Sequence, residues 1–191
     1  WTIENPDGAT TWEIATTQET TPGDKSAGMN FYSYATTGQR DGLISPPFDF
    51  SGFASVEMTF EHAYRRYDQT SSDSLIIYVS TDCGVTYQRI FARGEDGTGI
   101  FATAATNTAN FIPAADSDWC IAGTVGTSCY TINLDAFAGF STVVIKFEGY
   151  NNYQNNLYLD NINIYGDVVD YDIGISDIVY PEGTICNTQI S

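Results

Sequence analysis

The chain has 191 residues, of which 24 are acidic and 7 are lysine or arginine, giving a net charge of −17. A field of that sign repels phosphate backbones, and two lysines with five scattered arginines make no basic stripe, which excludes nucleic acid as a partner. No apolar run approaches the roughly 20 residues of a membrane span, and no basic amphipathic stretch offers a foothold on a bilayer, so direct membrane insertion is excluded too.

Trp1 opens directly into a strand-like run with no Met and no basic or apolar leader, so the sequence is expected to begin inside a longer or processed chain. Asn5-Pro-Asp-Gly, Thr21-Pro-Gly-Asp and Ser45-Pro-Pro then mark turns. Val56, Met58, Phe60, His62 and Tyr64 share one face of a strand and Glu57, Thr59 and Glu61 the other. This period-two pattern predicts one side on a core and one side in water. Leu75, Ile77 and Val79 repeat it, and so do Val143, Ile145 and Phe147. The turn clusters Gln69-Thr-Ser-Ser-Asp, Gly94-Glu-Asp-Gly-Thr-Gly and Asn151-Asn-Tyr-Gln-Asn-Asn separate these runs.

In Leu157-Tyr-Leu-Asp-Asn-Ile-Asn-Ile164 the apolar residues move from odd to even positions around Asp160-Asn161. That predicts either a bulge or a strand buried on both faces, and draws Asp160 toward the interior. No stretch carries a 3.6-residue apolar stripe. The 13 Tyr and 11 Phe supply a core that a disordered acidic tail would lack. The expected fold is therefore all-β, a two-sheet antiparallel sandwich or jelly roll, over residues 1–166. Beyond Gly166 an acidic connector leads into Ile173-Gly-Ile-Ser-Asp-Ile-Val-Tyr, so 167–191 is expected to be a linker and the first strand of a truncated following β domain.

The four cysteines contain no C-x-x-C pair. Cys120 and Cys129 flank a Gly- and Thr-rich loop that a disulfide would staple, which points to an oxidising, extracytoplasmic compartment; buried free thiols are the alternative. Cys186 belongs to the trailing segment.

Signals for catalysis are weak. The one histidine, His62, lies on an apolar strand face, as a core residue does, and neither a G-x-S-x-G elbow nor an H-E-x-x-H helix is present. Carboxylates are plentiful, so a glycosidase or lyase survives as an alternative, but spacing places no two of them across a sugar bond. Calcium accounts better for selected acids, because it collects six to eight oxygens and acidic turns supply them. Glu4, Asn5 and Asp7 in the first turn, Asp41, and Asp160 are the candidate ligands; an Asx turn explains Asn5 and Asp7 equally well. Tyrosines crowd the polar segments, among them Tyr32 and Tyr34. Tyr64, Tyr67, Tyr150 and Tyr153 are the candidate ligand-binding set, since an aromatic face beside amides stacks on sugars or anchors a protein.

Taken in order, Trp1-Thr-Ile-Glu-Asn-Pro-Asp-Gly with Trp12, Asp41-Gly-Leu-Ile-Ser-Pro-Pro-Phe, Phe60-Glu-His-Ala-Tyr, Asp73-Ser-Leu, Val79-Ser-Thr-Asp-Cys-Gly-Val-Thr-Tyr, Phe111-Ile-Pro, Asp118-Trp and Leu157-Tyr-Leu-Asp-Asn-Ile form one line. This set resembles the cleaved-adhesin and choice-of-anchor J modules, jelly rolls related to MAM domains. The tail is similar to the opening of an Ig-like module. The resemblance implies a non-catalytic module of a large secreted or cell-surface bacterial protein, exported by the type IX route. It implies structural calcium where the Asp-Gly turn meets the Asp-Asn-Ile strand, supporting Asp7 and Asp160 first, Asp41 next, and Glu4 and Asn5 as further donors. Expected partners are a glycan or extracellular protein surface and neighbouring domains of the same polypeptide. The rival reading is a structural spacer that binds nothing.

Overall fold

The computed structural model describes residues 1–18, 23–94, 101–122 and 128–169. The Cys186 region and the expected first strand of a following domain lie outside these residues.

Ten strands occur among the described residues. They are β1 (Thr2–Glu4), β2 (Trp12–Thr16), β3 (Lys25–Met29), β4 (Arg40–Ile44), β5 (Phe53–Tyr64), β6 (Ser74–Ser80), β7 (Gln88–Gly94), β8 (Tyr130–Asn133), β9 (Val144–Tyr150) and β10 (Leu157–Val168). They form two five-stranded antiparallel sheets, ordered β1-β4-β9-β6-β7 and β2-β3-β10-β5-β8. The predicted all-β sandwich is thus the fold observed, and the three alternating runs are β5, β6 and β9.

The inward residues of those runs make the core. Val56, Met58, Phe60 and Tyr64 from one sheet meet Leu75, Ile77, Val79, Ile145 and Phe147 from the other, all of them buried. Phe60 sits edge-on to both Phe91 and Phe147, at centroid distances of 6.1 and 6.0 Å. Edge-to-face contact places the positive ring edge on the negative face of its neighbour. His62 is buried between Phe101 and Tyr130, 5.0 and 5.3 Å away, with Nε2 placed 3.1 Å from the Phe101 carbonyl. That carbonyl requires Nε2 to carry the proton, and burial holds the imidazole pKa down at about 4. It is a neutral core histidine at physiological pH.

Both readings of the last long strand hold, in different places. Leu157, Tyr158 and Leu159 are all buried, because Phe111 and Trp119 cover the outer face that Tyr158 presents. The pairing with β5 then slips between Asp160 and Asn163, where Asn161 takes φ +45°. One extra residue at the bulge moves the apolar set to Ile162 and Ile164, both packed on the core. The strand pairs on to Val168, opposite Phe53, two residues past the boundary expected at 166.

Cys120 and Cys129 are joined by a disulfide with Cα atoms 4.8 Å apart. Cys83 is a free, exposed thiol at φ +62° beside Gly84, in the turn between β6 and β7.

Candidate functional site

The polar run 151–156, between β9 and β10, reads in sequence as a solvated turn. In the fold Asn151, Gln154, Asn155 and Asn156 are all buried and bonded. Asn151 Nδ2 donates to the carbonyls of Tyr34 and Thr36, both at 2.7 Å, and its Oδ1 accepts from the Tyr153 amide at 2.9 Å. Gln154 Oε1 accepts from the amides of Tyr67 and Asp68 at 3.1 Å, and its Nε2 donates to Asp68 and Ser71. Asn156 Oδ1 accepts from the Tyr32 amide at 3.1 Å. The run therefore ties three loops into one end of the sandwich.

Asp73 anchors the same run from beneath. Fully buried, it accepts from the amides of Asn152 at 2.6 Å and Asn155 at 3.2 Å. Burial raises its pKa to about 7 against those amides, which favour the charged form. A carboxyl that binds its proton more tightly folded than unfolded adds stability that is full below the unfolded pKa near 4 and declines as pH rises through about 7. The stability difference between wild type and Asp73→Asn is accordingly expected to fall across that window, with a slope of up to about 1.4 kcal/mol per pH unit, and to level off above it. Urea unfolding at pH 4, 5, 6, 7 and 8 checks this, and a difference that does not change with pH would refute it.

On this base the three loops enclose a cleft of about 450 Å³. Its aromatic walls are Tyr32, Tyr67 and Tyr153, with the Tyr32 and Tyr67 rings tilted at 6.1 Å. Tyr153 is 50% exposed and holds φ +57°, a left-handed conformation that costs a side chain with a Cβ on the order of 1–2 kcal/mol. The buried amides on either side of it hold that conformation, and the ring is turned to solvent. Asn152, Asp68 and Thr37 supply the polar wall. The hydroxyls of the three tyrosines and the side-chain amide of Asn152 have no hydrogen-bond partner among the described residues, whereas Gln154 is fully engaged and serves as the floor.

The four nominated tyrosines separate. Tyr67 and Tyr153 face each other's loops across the cleft. Tyr64 does not belong with them: it is fully buried, its hydroxyl accepting from the Asp73 amide at 3.1 Å, because alternation along β5 points it into the core. Tyr150 is also removed from the cleft and carries the Arg40 guanidinium over its ring at 4.7 Å. Tyr32 belongs to the cleft too, although in the sequence nothing sets it apart from the other tyrosines of the polar segments.

The nominated metal ligands also separate. Asp41 is 1% exposed, shares the inner face of β4 with Leu43, and neither carboxylate oxygen has a hydrogen-bond partner. Burial first, then the charge of Asp7, raises its pKa to about 6, against the Thr11 hydroxyl beside it, which favours the charged form. Asp7 lies near enough for its charge to act on Asp41, and the Tyr34 hydroxyl donates to Asp7 Oδ2. Asn5 and Asp7 build an Asx turn, accepting from the amides of Gly8 and Ala9 at 2.8 and 3.0 Å. Glu4 turns to the outer face and pairs with Lys146 at 3.1 Å. Asp160 lies on the other sheet, in register with Glu61, and its Oδ2 is buried without a partner. Among the described residues no three acidic, histidine or cysteine side chains converge as a metal site. The structure thus sets Asp7 near Asp41, leaves Glu4 engaged with Lys146 although its charge reaches Asp41, and puts Asp160 on the other sheet.

No protein-family model matches the chain, and no curated protein matches its sequence. Among solved structures it is similar to the K2 cleaved adhesin domain of Lys-gingipain, at TM-score 0.56 and 17% identity over 86% of this chain and 88% of that one. It is likewise similar to the K1 domain of Lys-gingipain from Porphyromonas gingivalis W83, at TM-score 0.57 and 12% identity over 87% and 90% of the two chains. The K3 domain from the same source gives 0.55 and 16% over 86% and 90%. At these identities the likeness is one of fold, and the fold is the one that the sequence resemblance implies.

Proposed function

We propose that this chain is a non-catalytic recognition module of a secreted or cell-surface protein, exported by the type IX route, which engages a glycan or protein surface through the Tyr32–Tyr67–Tyr153 cleft. One observation carries the reading. An exposed tyrosine is held in a strained conformation by a loop whose buried amides are all bonded, and such preorganisation spares a ligand the cost of ordering the site. A spacer domain has no use for it. A glycosidase needs two facing carboxyls, and Asp68 is the one carboxylate among the described residues lining this cleft.

Calcium enters the same reading in a reduced form. A carboxylate buried with both oxygens unpaired is costly, and a cation relieves that cost. Asp41 and Asp7 would hold it, with backbone carbonyls and water completing an oxygen shell. Its effect reaches the cleft through Tyr34, whose hydroxyl bonds Asp7 and whose carbonyl accepts from Asn151, the residue that also caps the Tyr153 amide.

Tyr153→Ala and Tyr67→Ala are each expected to lower affinity for the captured surface at least about tenfold, the size typical of a stacked aromatic anchor, with melting temperatures unchanged. Binding to printed glycan and extracellular-matrix protein arrays, followed by titration of the best ligand, measures it. Arrays that show no binding, or binding indifferent to both substitutions, would leave the spacer reading in place.

A further inference from the structure

The chemistry of the cleft also selects among ligands; this step rests on the cleft being the binding site. The charged group on its wall is Asp68. One of its oxygens accepts from the Thr70 amide and hydroxyl at 2.8 and 2.7 Å and from Gln154 Nε2 at 3.2 Å. Those bonds, led by the Thr70 hydroxyl, hold its pKa below the usual carboxylate value, so it is ionised in any physiological medium. The other oxygen has no hydrogen-bond partner among the described residues. It is a strong acceptor with no donor, which a sugar hydroxyl supplies and a carboxylate or sulfate ester does not.

The nearby cation is turned away from a direct ion pair with an anionic ligand, and its charge acts on Asp68. Arg66 is 6% exposed, and its Nε and Nη2 both point at the Ser71 carbonyl, at 3.3 and 3.1 Å. The three tyrosine hydroxyls and the side-chain amide of Asn152 on the same wall are neutral and both donate and accept. They match the mixed hydroxyl and amide edges of a saccharide, while the tyrosine rings offer faces for its C–H surface. The net charge of −17 adds long-range repulsion of any acidic glycan.

We propose that the cleft binds uncharged saccharides, with a ring stacked on Tyr153 or Tyr67 and a hydroxyl donating to Asp68, and that it discriminates against sialylated, sulfated and uronic acid-containing glycans. Matched pairs decide it: N-acetyllactosamine against its sialylated and 6-sulfated forms, and methyl-esterified oligogalacturonate against the free acid, titrated against the whole chain at 20 and 300 mM salt. The neutral members are expected to bind about tenfold more tightly than their acidic counterparts at low salt, a ratio that narrows at high salt as the charge is screened. Asp68→Asn keeps the acceptor for Thr70 and removes the charge, so it is expected to cut the preference to about twofold or less.

Acidic glycans that bind as well as neutral ones, with Tyr153→Ala still abolishing the binding, would overturn the selectivity while sparing the cleft. Glycan binding indifferent to Tyr153 and Tyr67, or no glycan binding by the folded wild type, would remove the cleft itself as a sugar site.

Discussion

Asn155→Ala is expected to lower the unfolding free energy by about 3 kcal/mol and to abolish binding at the cleft. Asn155 is fully buried. Its Oδ1 accepts from the amides of Phe111 and Asn156 at 2.9 and 3.0 Å, and its Nδ2 donates to the carbonyls of Ala109 and Asn107 at 2.8 and 3.3 Å. Alanine strands two buried amides, while the carbonyls of Asn107 and Ala109, on exposed residues, turn to water. Each buried unsatisfied group costs roughly 1–3 kcal/mol, and water entering the space returns part of the sum. Asn155→Asp tests the cause, since it keeps the accepting oxygen but turns a second acceptor on two carbonyls; it is expected to be nearly as damaging. Asn163→Ala is the control, an exposed asparagine bonded to the Asn161 carbonyl, where a change within about 0.5 kcal/mol is expected. Urea unfolding measures all three, and a loss below about 1 kcal/mol for Asn155→Ala would show that the amide network does not hold the loop.

The same residue shows where sequence reading stops. Asparagine-rich runs have one composition whether they bend in water or satisfy a buried backbone, because the amide suits both tasks. What distinguishes them is the arrival of distant segments, here Phe111 and Tyr32, and no local pattern announces those. Strands behave differently. Their side-chain period is fixed by the pleat, so β5, β6 and β9, the bulge after Asp160 and the neutral core histidine were all legible. The tyrosines fall between. Tyr64 was in phase with Phe60 and His62, and that phase already placed it inside, whatever its polar neighbours suggested. Tyr67, three residues on and past the end of β5, was free of the phase, and its partner Tyr153 was visible only as part of a polar turn.

The acids divide on the same ground. Asp41 alternates with Leu43 on β4, which puts a carboxylate on a core-facing position, and the Asp-Gly turn brings Asp7 beside it. Asp160 is not drawn into the core as expected: it follows Leu159 on the outer face, half-buried and in register with Glu61, and the strand order sets β10 in the second sheet between β3 and β5, away from the edge where β1 meets β4. Sheet membership is a long-range property, and the motif order that carries the family resemblance does not encode which carboxylates meet.

Adding calcium to the chelator-treated protein is expected to raise its melting temperature by about 5–10 °C. A ligand at a hundredfold its dissociation constant stabilises by about 2.7 kcal/mol, and a domain of this size shifts by roughly 2–4 °C per kcal/mol. Asp41→Asn separates the metal from mere burial, because the two effects of the substitution have opposite signs. In chelator the variant is expected to melt no lower than wild type, since it replaces an unpaired buried carboxylate, repelled by Asp7, with a neutral amide. In calcium it is expected to melt lower, since it has lost the ligand that the cation needs. The two melting curves therefore cross as calcium is added. Asp160→Ala is expected to keep the calcium response, as Asp160 lies with Glu61 on the other sheet. Differential scanning calorimetry with calcium, with magnesium and with chelator reads all of these. A wild-type curve indifferent to calcium would end the metal assignment, and a response lost in Asp160→Ala but kept in Asp41→Asn would move the metal to the bulge of β10.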